Sequence, residues 1–160
     1  MIRNLLIVSA LIAPSAALAQ TLPTAPYLPL EMAEKAAKAA LQACSAKGNA
    51  VTVAIVTRDG ATKTVLKADG SGPHTVSSAT GKAFAAASLG RDIGEIADFI
   101  ASKPANDGLR DMDERMVIQA GGLPIKIGDA LVGGIGVGGA PSGAIDAECA
   151  REGLSAISAK

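Results

Sequence analysis

At 160 residues, with 15 basic and 15 acidic side chains, the chain has the size of one domain and no formal net charge. That balance excludes the basic excess a phosphate backbone demands, so no nucleic-acid partner is expected. Two cysteines and one histidine are too few for a common four-ligand zinc site, and with two Phe, one Tyr and no Trp the core has to be built from Ala, Val, Ile, Leu and Gly.

The first residues, Met1 to Asn4, carry one positive charge at Arg3. Leu5 to Ala13 is apolar except for Ser9, and Ala17-Leu18-Ala19 is a small-x-small triplet before Gln20. Basic, apolar, small is the order of a secretory signal peptide; it predicts cleavage after Ala19 and sets residues 1–19 outside the fold. The apolar run is well short of the roughly 20 residues that span a bilayer, so no membrane span is expected after cleavage. The expected location is periplasmic or secreted. In such an oxidising compartment Cys44 and Cys149 can bond; two buried, unpaired thiols are the other reading.

Pro23, Pro26 and Pro29 mark residues 20–29 as an extended leader, and the domain proper as 30–160. From Leu30, Ala33, Ala37, Ala40, Leu41 and Cys44 fall on one face of a helix that Gly48 ends. Val51 to Thr57 and Ala61 to Lys67 are strands joined at Asp59-Gly60, a hairpin signal. A loop containing Pro73 and His74 leads to a small-residue helix over about Val76 to Leu89, broken by Gly90. Ile93 to Ile100 is a shorter helix closed by Pro104, and Leu109 to Arg115 is charged and ambiguous. Met116 to Gln119 reads as a strand. Leu123 to Ile127 and Ala130 to Val137 form a second hairpin through Gly128-Asp129. Pro141-Ser142-Gly143 opens a last helix that runs to about Ser158. Tight turns make the strands antiparallel, and helices must cover the sheet. The expected architecture is one α/β sandwich around an antiparallel sheet of about five strands.

Three motifs for chemistry fail on inspection. Gly134-Ile135-Gly136-Val137-Gly138-Gly139 matches G-x-G-x-x-G, but a dinucleotide site needs a parallel βαβ unit and an acid about 20 residues on. Its glycines read better as room for another backbone to pack closely. Gly81-Lys82 lacks the first glycine and the Ser/Thr of a phosphate loop. No nucleophile-elbow pattern accompanies the single histidine, so no catalytic residue is assigned. His74, in a polar loop, is an ordinary surface histidine or an axial haem ligand. Met112 and Met116 are alternative soft ligands or core residues. Arg110 and Arg115 are propionate partners or solvated charges.

The stretch from Gly121-Gly122-Leu123-Pro124-Ile125 through Val132-Gly133-Gly134-Ile135-Gly136-Val137-Gly138-Gly139-Ala140-Pro141 resembles the signature of the GlcG/HbpS-type haem-binding family. Asp146-Ala147-Glu148-Cys149-Ala150 is similar to that family's last helix. Upstream, Val53 to Val56 with Asp59-Gly60, then Asp69-Gly70 and Lys82-Ala83, are similar to its earlier positions. The resemblance spans about 31–158. It departs at Gly138, where serine is common, at Gly72-Pro73-His74, and over Met112 to Gln119. The resemblance implies a profilin-like three-layer α/β/α sandwich with a five-stranded antiparallel sheet, a homo-oligomer, and for an exported member, haem binding. His74, Arg110, Arg115 and Lys82 are then the candidates around haem, with Met112 and Met116 as alternative iron ligands. The second reading is a non-catalytic accessory or sensory module for a partner protein or small organic ligand. A weak enzyme acting on haem or a small oxygenated metabolite is the third.

Overall fold

The structure is a computed structural model that describes residues 22–158. The expected signal peptide and its cleavage point after Ala19 lie outside the described residues. Among these residues no helix is long and apolar enough to cross a membrane.

The elements run α1 (Leu30–Ala46), β1 (Thr52–Thr57), β2 (Thr62–Lys67), α2 (Thr75–Leu89), α3 (Ile93–Ser102), a 3-10 turn (Pro104–Asp111), β3 (Gly122–Ile127), β4 (Ala130–Gly138) and α4 (Gly143–Ile157). The strands form one sheet in the order β2-β1-β4-β3. Every pairing is antiparallel, and the ladder is irregular at Ile55/Val56 in β1 and Ile125/Lys126 in β3. The two hairpins lie where Asp-Gly and Gly-Asp place them. Because β4 has antiparallel neighbours on both sides, its glycine motif sits in no βαβ unit.

Alternation along the strands builds two apolar layers. Val53, Ile55, Ile135 and Val137 face the α1–α4 side, packed with Ala33, Ala37, Ala40 and Ala150. Ala54 and Val56 face the other way, against Ala79, Ala83 and Phe84 of α2. On that second face β4 offers glycine. A Cβ at Gly136 would run into the Ala79 carbonyl and stand 2.5 Å from the Ala83 nitrogen; one at Gly134 would stand 2.6 Å from the Ala87 nitrogen. These contacts are with backbone, which has no flexible end to swing aside. The alanine side of α2 therefore lies directly on the strand, closer than side chains would permit.

The sheet has four strands among the described residues, which corrects the expectation of five. The odd segment is Met116–Gln119. Its Val117 N–H donates to the Gly81 carbonyl of α2 at 3.2 Å, and Gln119 N–H to the Val117 carbonyl at 3.1 Å, so no strand ladder forms. Val117 presses onto the bare backbone of Gly81, while Met116 packs against the clusters on α2 and α3. The segment crosses α2 instead of joining the sheet edge. Its apolar residues are buried on a helix, which a strand pattern does not distinguish from burial on a sheet.

Candidate functional site

Side chains able to bind something fall into four places. His74 is the N-cap residue of α2, and its side chain makes no capping bond. It is exposed, with its ring folded over Gly72. The next residue, Thr75, exchanges a 2.7 Å hydroxyl contact with Thr52 at the start of β1, so His74 belongs to that end of the sheet.

Arg115 belongs elsewhere. Its guanidinium lies 4.1 Å above the Phe84 ring and is gripped by both oxygens of Asp113, at 2.9 and 2.7 Å. Those bonds hold the Asp113 carboxyl down at about 2. Phe84 follows His74 along α2 by a distance of about 15 Å at 1.5 Å per residue. Arg110 bonds Asp107 and the Ile118 carbonyl, both at 3.1 Å, strapping the 3-10 turn to the crossing segment. Met112 is half exposed beside it, and Met116 is partly buried.

Lys82 is inside. Its side chain is 2 % exposed, and its ammonium donates to Asp146 at 2.8 Å and to the Val137 carbonyl at 3.0 Å. Asp146, in the first turn of α4, also accepts from the Ala140 N–H at 3.1 Å. Burial pushes the Asp146 carboxyl above its ordinary range, against the pull of the Lys82 ammonium and of that N–H. The pair ties the α2 layer to the α4 layer around the start of edge strand β3. Gly121 and Gly122 make the passage: a Cβ at Gly121, where φ is +110°, would stand 3.2 Å from the ammonium, and one at Gly122 would stand 2.5 Å from the Lys82 carbonyl. The ammonium is occupied within the fold and reaches no surface.

The six side chains nominated from sequence, His74, Lys82, Arg110, Met112, Arg115 and Met116, therefore do not gather around one cavity of the chain. Among the described residues no group of three or more His, Cys, Asp or Glu is placed to hold a metal ion. Cys44 and Cys149 are joined in a disulfide, with Cα atoms 5.5 Å apart, pinning the end of α1 to α4.

The fourth place is a groove of about 560 Å³ that no sequence pattern marked. It lies between the leader at 25–27 and the β1–β2 turn, walled by Pro26, Tyr27, Ala61 and Val132, with Arg58 and Lys63 on its lining. Thr57, at the far end of β1 from Thr52, also lines it, which puts the groove and His74 about 17 Å apart along the strand. An apolar slot with nearby cations is what a haem needs from a protein surface. The groove sets apolar walls beside two cations, Arg58 and Lys63.

A family model described as haem degrading protein HbpS-like matches residues 28–155. The chain belongs to the HbpS-like family. Among curated proteins, none matches. Among solved structures it is similar to a double mutant of Streptomyces reticuli HbpS, at 40 % identity and TM-score 0.82, covering 94 % of this chain and 100 % of that one. The Klebsiella pneumoniae protein ORFY is similar at 25 % identity and TM-score 0.81, over 90 % of this chain and 99 % of that one. A PduOC–haem complex, at 21 % identity, TM-score 0.72 and coverage of 82 % and 96 %, shares the fold. For an HbpS-like chain the glycines of β3 and β4 have structural work: they admit Lys82 and α2.

Proposed function

We infer that this HbpS-like protein is an exported haem-binding protein that works as a homo-oligomer. The observation that carries the reading is the match of nearly the whole body, residues 28–155, to a haem-degrading family. The PduOC structure of the same fold, described as a haem complex, supports it. Bound haem would supply a redox-active iron; the chain's own contribution is an apolar surface, cations for carboxylates and a donor side chain. Of the iron donors nominated from sequence, His74 and Met112 are the exposed ones.

Export after cleavage at Ala19 is supported by the disulfide between Cys44 and Cys149, a bond that forms and persists in oxidising compartments. Secretion of the whole chain should yield a protein beginning at Gln20; an intact Met1 species in the membrane fraction would overturn export. Light scattering should give a multiple of the mature mass. For haem, the test is titration of the purified protein with haemin. A saturable Soret change at near-stoichiometric haem supports the reading. No saturable change sinks it and leaves the accessory-module reading in its place.

A further inference from the structure

We propose that the groove between the leader and the β1–β2 turn is a binding site for an apolar ligand that carries carboxylates. For the identity of that ligand, a tetrapyrrole, the inference rests on the haem-binding reading; for its location it rests on the groove.

The volume of about 560 Å³ is within the roughly 300–1,000 Å³ of small-molecule sites. Its apolar walls are Pro26 and Tyr27 on one side and Ala61 and Val132 on the other, with the hydroxyl residues Thr57 and Thr62 also on the lining. Tyr27 is 79 % exposed, a large ring left beside an open slot. The charged groups on the lining are Arg58, Lys63 and Asp59. Asp59 is exposed on the turn: its Oδ1 accepts from the Thr57 hydroxyl and from the Ala61 N–H, and the Thr57 bond lowers its pKa. It stays an anion, with one oxygen engaged within the turn. Arg58 donates one N–H to the Ala87 carbonyl at 3.0 Å, which fixes the guanidinium while its fork offers further donors. Lys63 sits at the irregular step of the β1–β2 pairing. Two cations against one engaged anion leave the rim positive, the sign that takes a carboxylate. An apolar body in the slot and carboxylates at Arg58 and Lys63 satisfy both halves of the lining. Tyr27 adds a phenol, one of the oxygen donors that haem iron accepts.

The test uses the full purified chain and three probes: haemin, metal-free protoporphyrin and laurate. Ala61→Phe fills the slot from an exposed position, Lys63→Glu reverses a rim charge, and Lys126→Glu on distant β3 is the control. Ala61→Phe should weaken haemin and protoporphyrin by at least about tenfold. Lys63→Glu should weaken them by about fivefold. Lys126→Glu should stay within about twofold of wild type, as expected of an exposed position outside the site. Tyr27 is the sole tyrosine and the chain has no Trp, so its emission reports on the groove without interference. Laurate, which does not absorb there, should change that emission saturably. If haemin binds saturably but Ala61→Phe and Lys63→Glu bind like wild type, the groove is overturned and the haem reading stands. If neither haemin nor protoporphyrin binds while laurate still perturbs Tyr27, the haem reading falls and the groove stands as a fatty-carboxylate site. If no probe binds, both fall. Should Ala61→Phe fail to fold, Lys63→Glu and the Tyr27 emission decide.

Discussion

Replacing Lys82 by Met removes the ammonium that joins the α2 and α4 layers while keeping most of the side-chain volume. The Asp146 side chain, only 4 % exposed, would keep the Ala140 N–H but lose its charge partner, and the Val137 carbonyl would lose a donor. Removing one member of a buried pair costs about 3–5 kcal/mol because the other charge stays buried without compensation. For a domain of this size that is a fall in Tm of roughly 12–20 °C, at about 4 °C per kcal/mol. The cost has a pH signature. Burial already raises Asp146, and without Lys82 the largest opposing pull is gone. A carboxyl whose folded-state pKa lies above its unfolded value adds stability that is complete below the unfolded value and is lost as pH rises through the folded one. The deficit of Lys82→Met relative to wild type should therefore be full at neutral pH and shrink as pH falls toward about 4. The assay is urea unfolding with the disulfide intact, at both pH values. Adding Asp146→Asn, which keeps an oxygen for Ala140, should recover at least about half of the loss, because no charge is then buried. A single variant within about 1 kcal/mol of wild type at neutral pH would refute the reasoning, since a solvated lysine loses no more than that.

Three more outcomes are expected. Gly136→Ala drives a Cβ into the backbone of α2 at Ala79 and Ala83 and should cost at least about 3 kcal/mol or abolish soluble expression, read by thermal melts; a normal melt would mean the helix can lift off the sheet. Unfolded, unreduced protein should show no free thiol, and Cys44→Ala with Cys149→Ala should lose about 3–5 kcal/mol, given a separation of 105 residues between the bonded cysteines. NMR titration should place Asp113 at about 2, so that any stability drawn from its bond to Arg115 is present above the unfolded value and lost as pH falls through about 2. Arg115→Gln should return Asp113 toward the ordinary carboxylate range; an unmoved value would mean the guanidinium is not its partner.

Much of the fold was legible because its signals are local. The Asp59-Gly60 and Gly128-Asp129 turns, the alanine face of α1 and the Pro141-Ser142-Gly143 opening of α4 each act within a few residues, so the element order could be read directly. Even the close approach at Gly134 and Gly136 was readable, since a run of glycines in a strand leaves few other uses for them. The candidate site was less legible. Lys82 in an alanine-rich helix reads as a cation available to haem, because its partner Asp146 is 64 residues away. His74 and Arg115 share a chemistry that haem could use, but α2 holds them apart. The groove combines residues 25–27 with 57–63, which have no common period or motif.

By itself, then, the sequence determined the family, the helices, the two hairpins and the small-residue core, all set by side-chain size and turn chemistry over short spans. Tertiary structure alone decided that Met116–Gln119 crosses α2 and that the strand order is β2-β1-β4-β3. It also decided that Lys82 turns inward and that the open apolar slot lies beside Tyr27. Each of these depends on which distant backbone groups and charges meet when the layers close. A buried donor takes whichever acceptor that closure presents, and no local pattern records it.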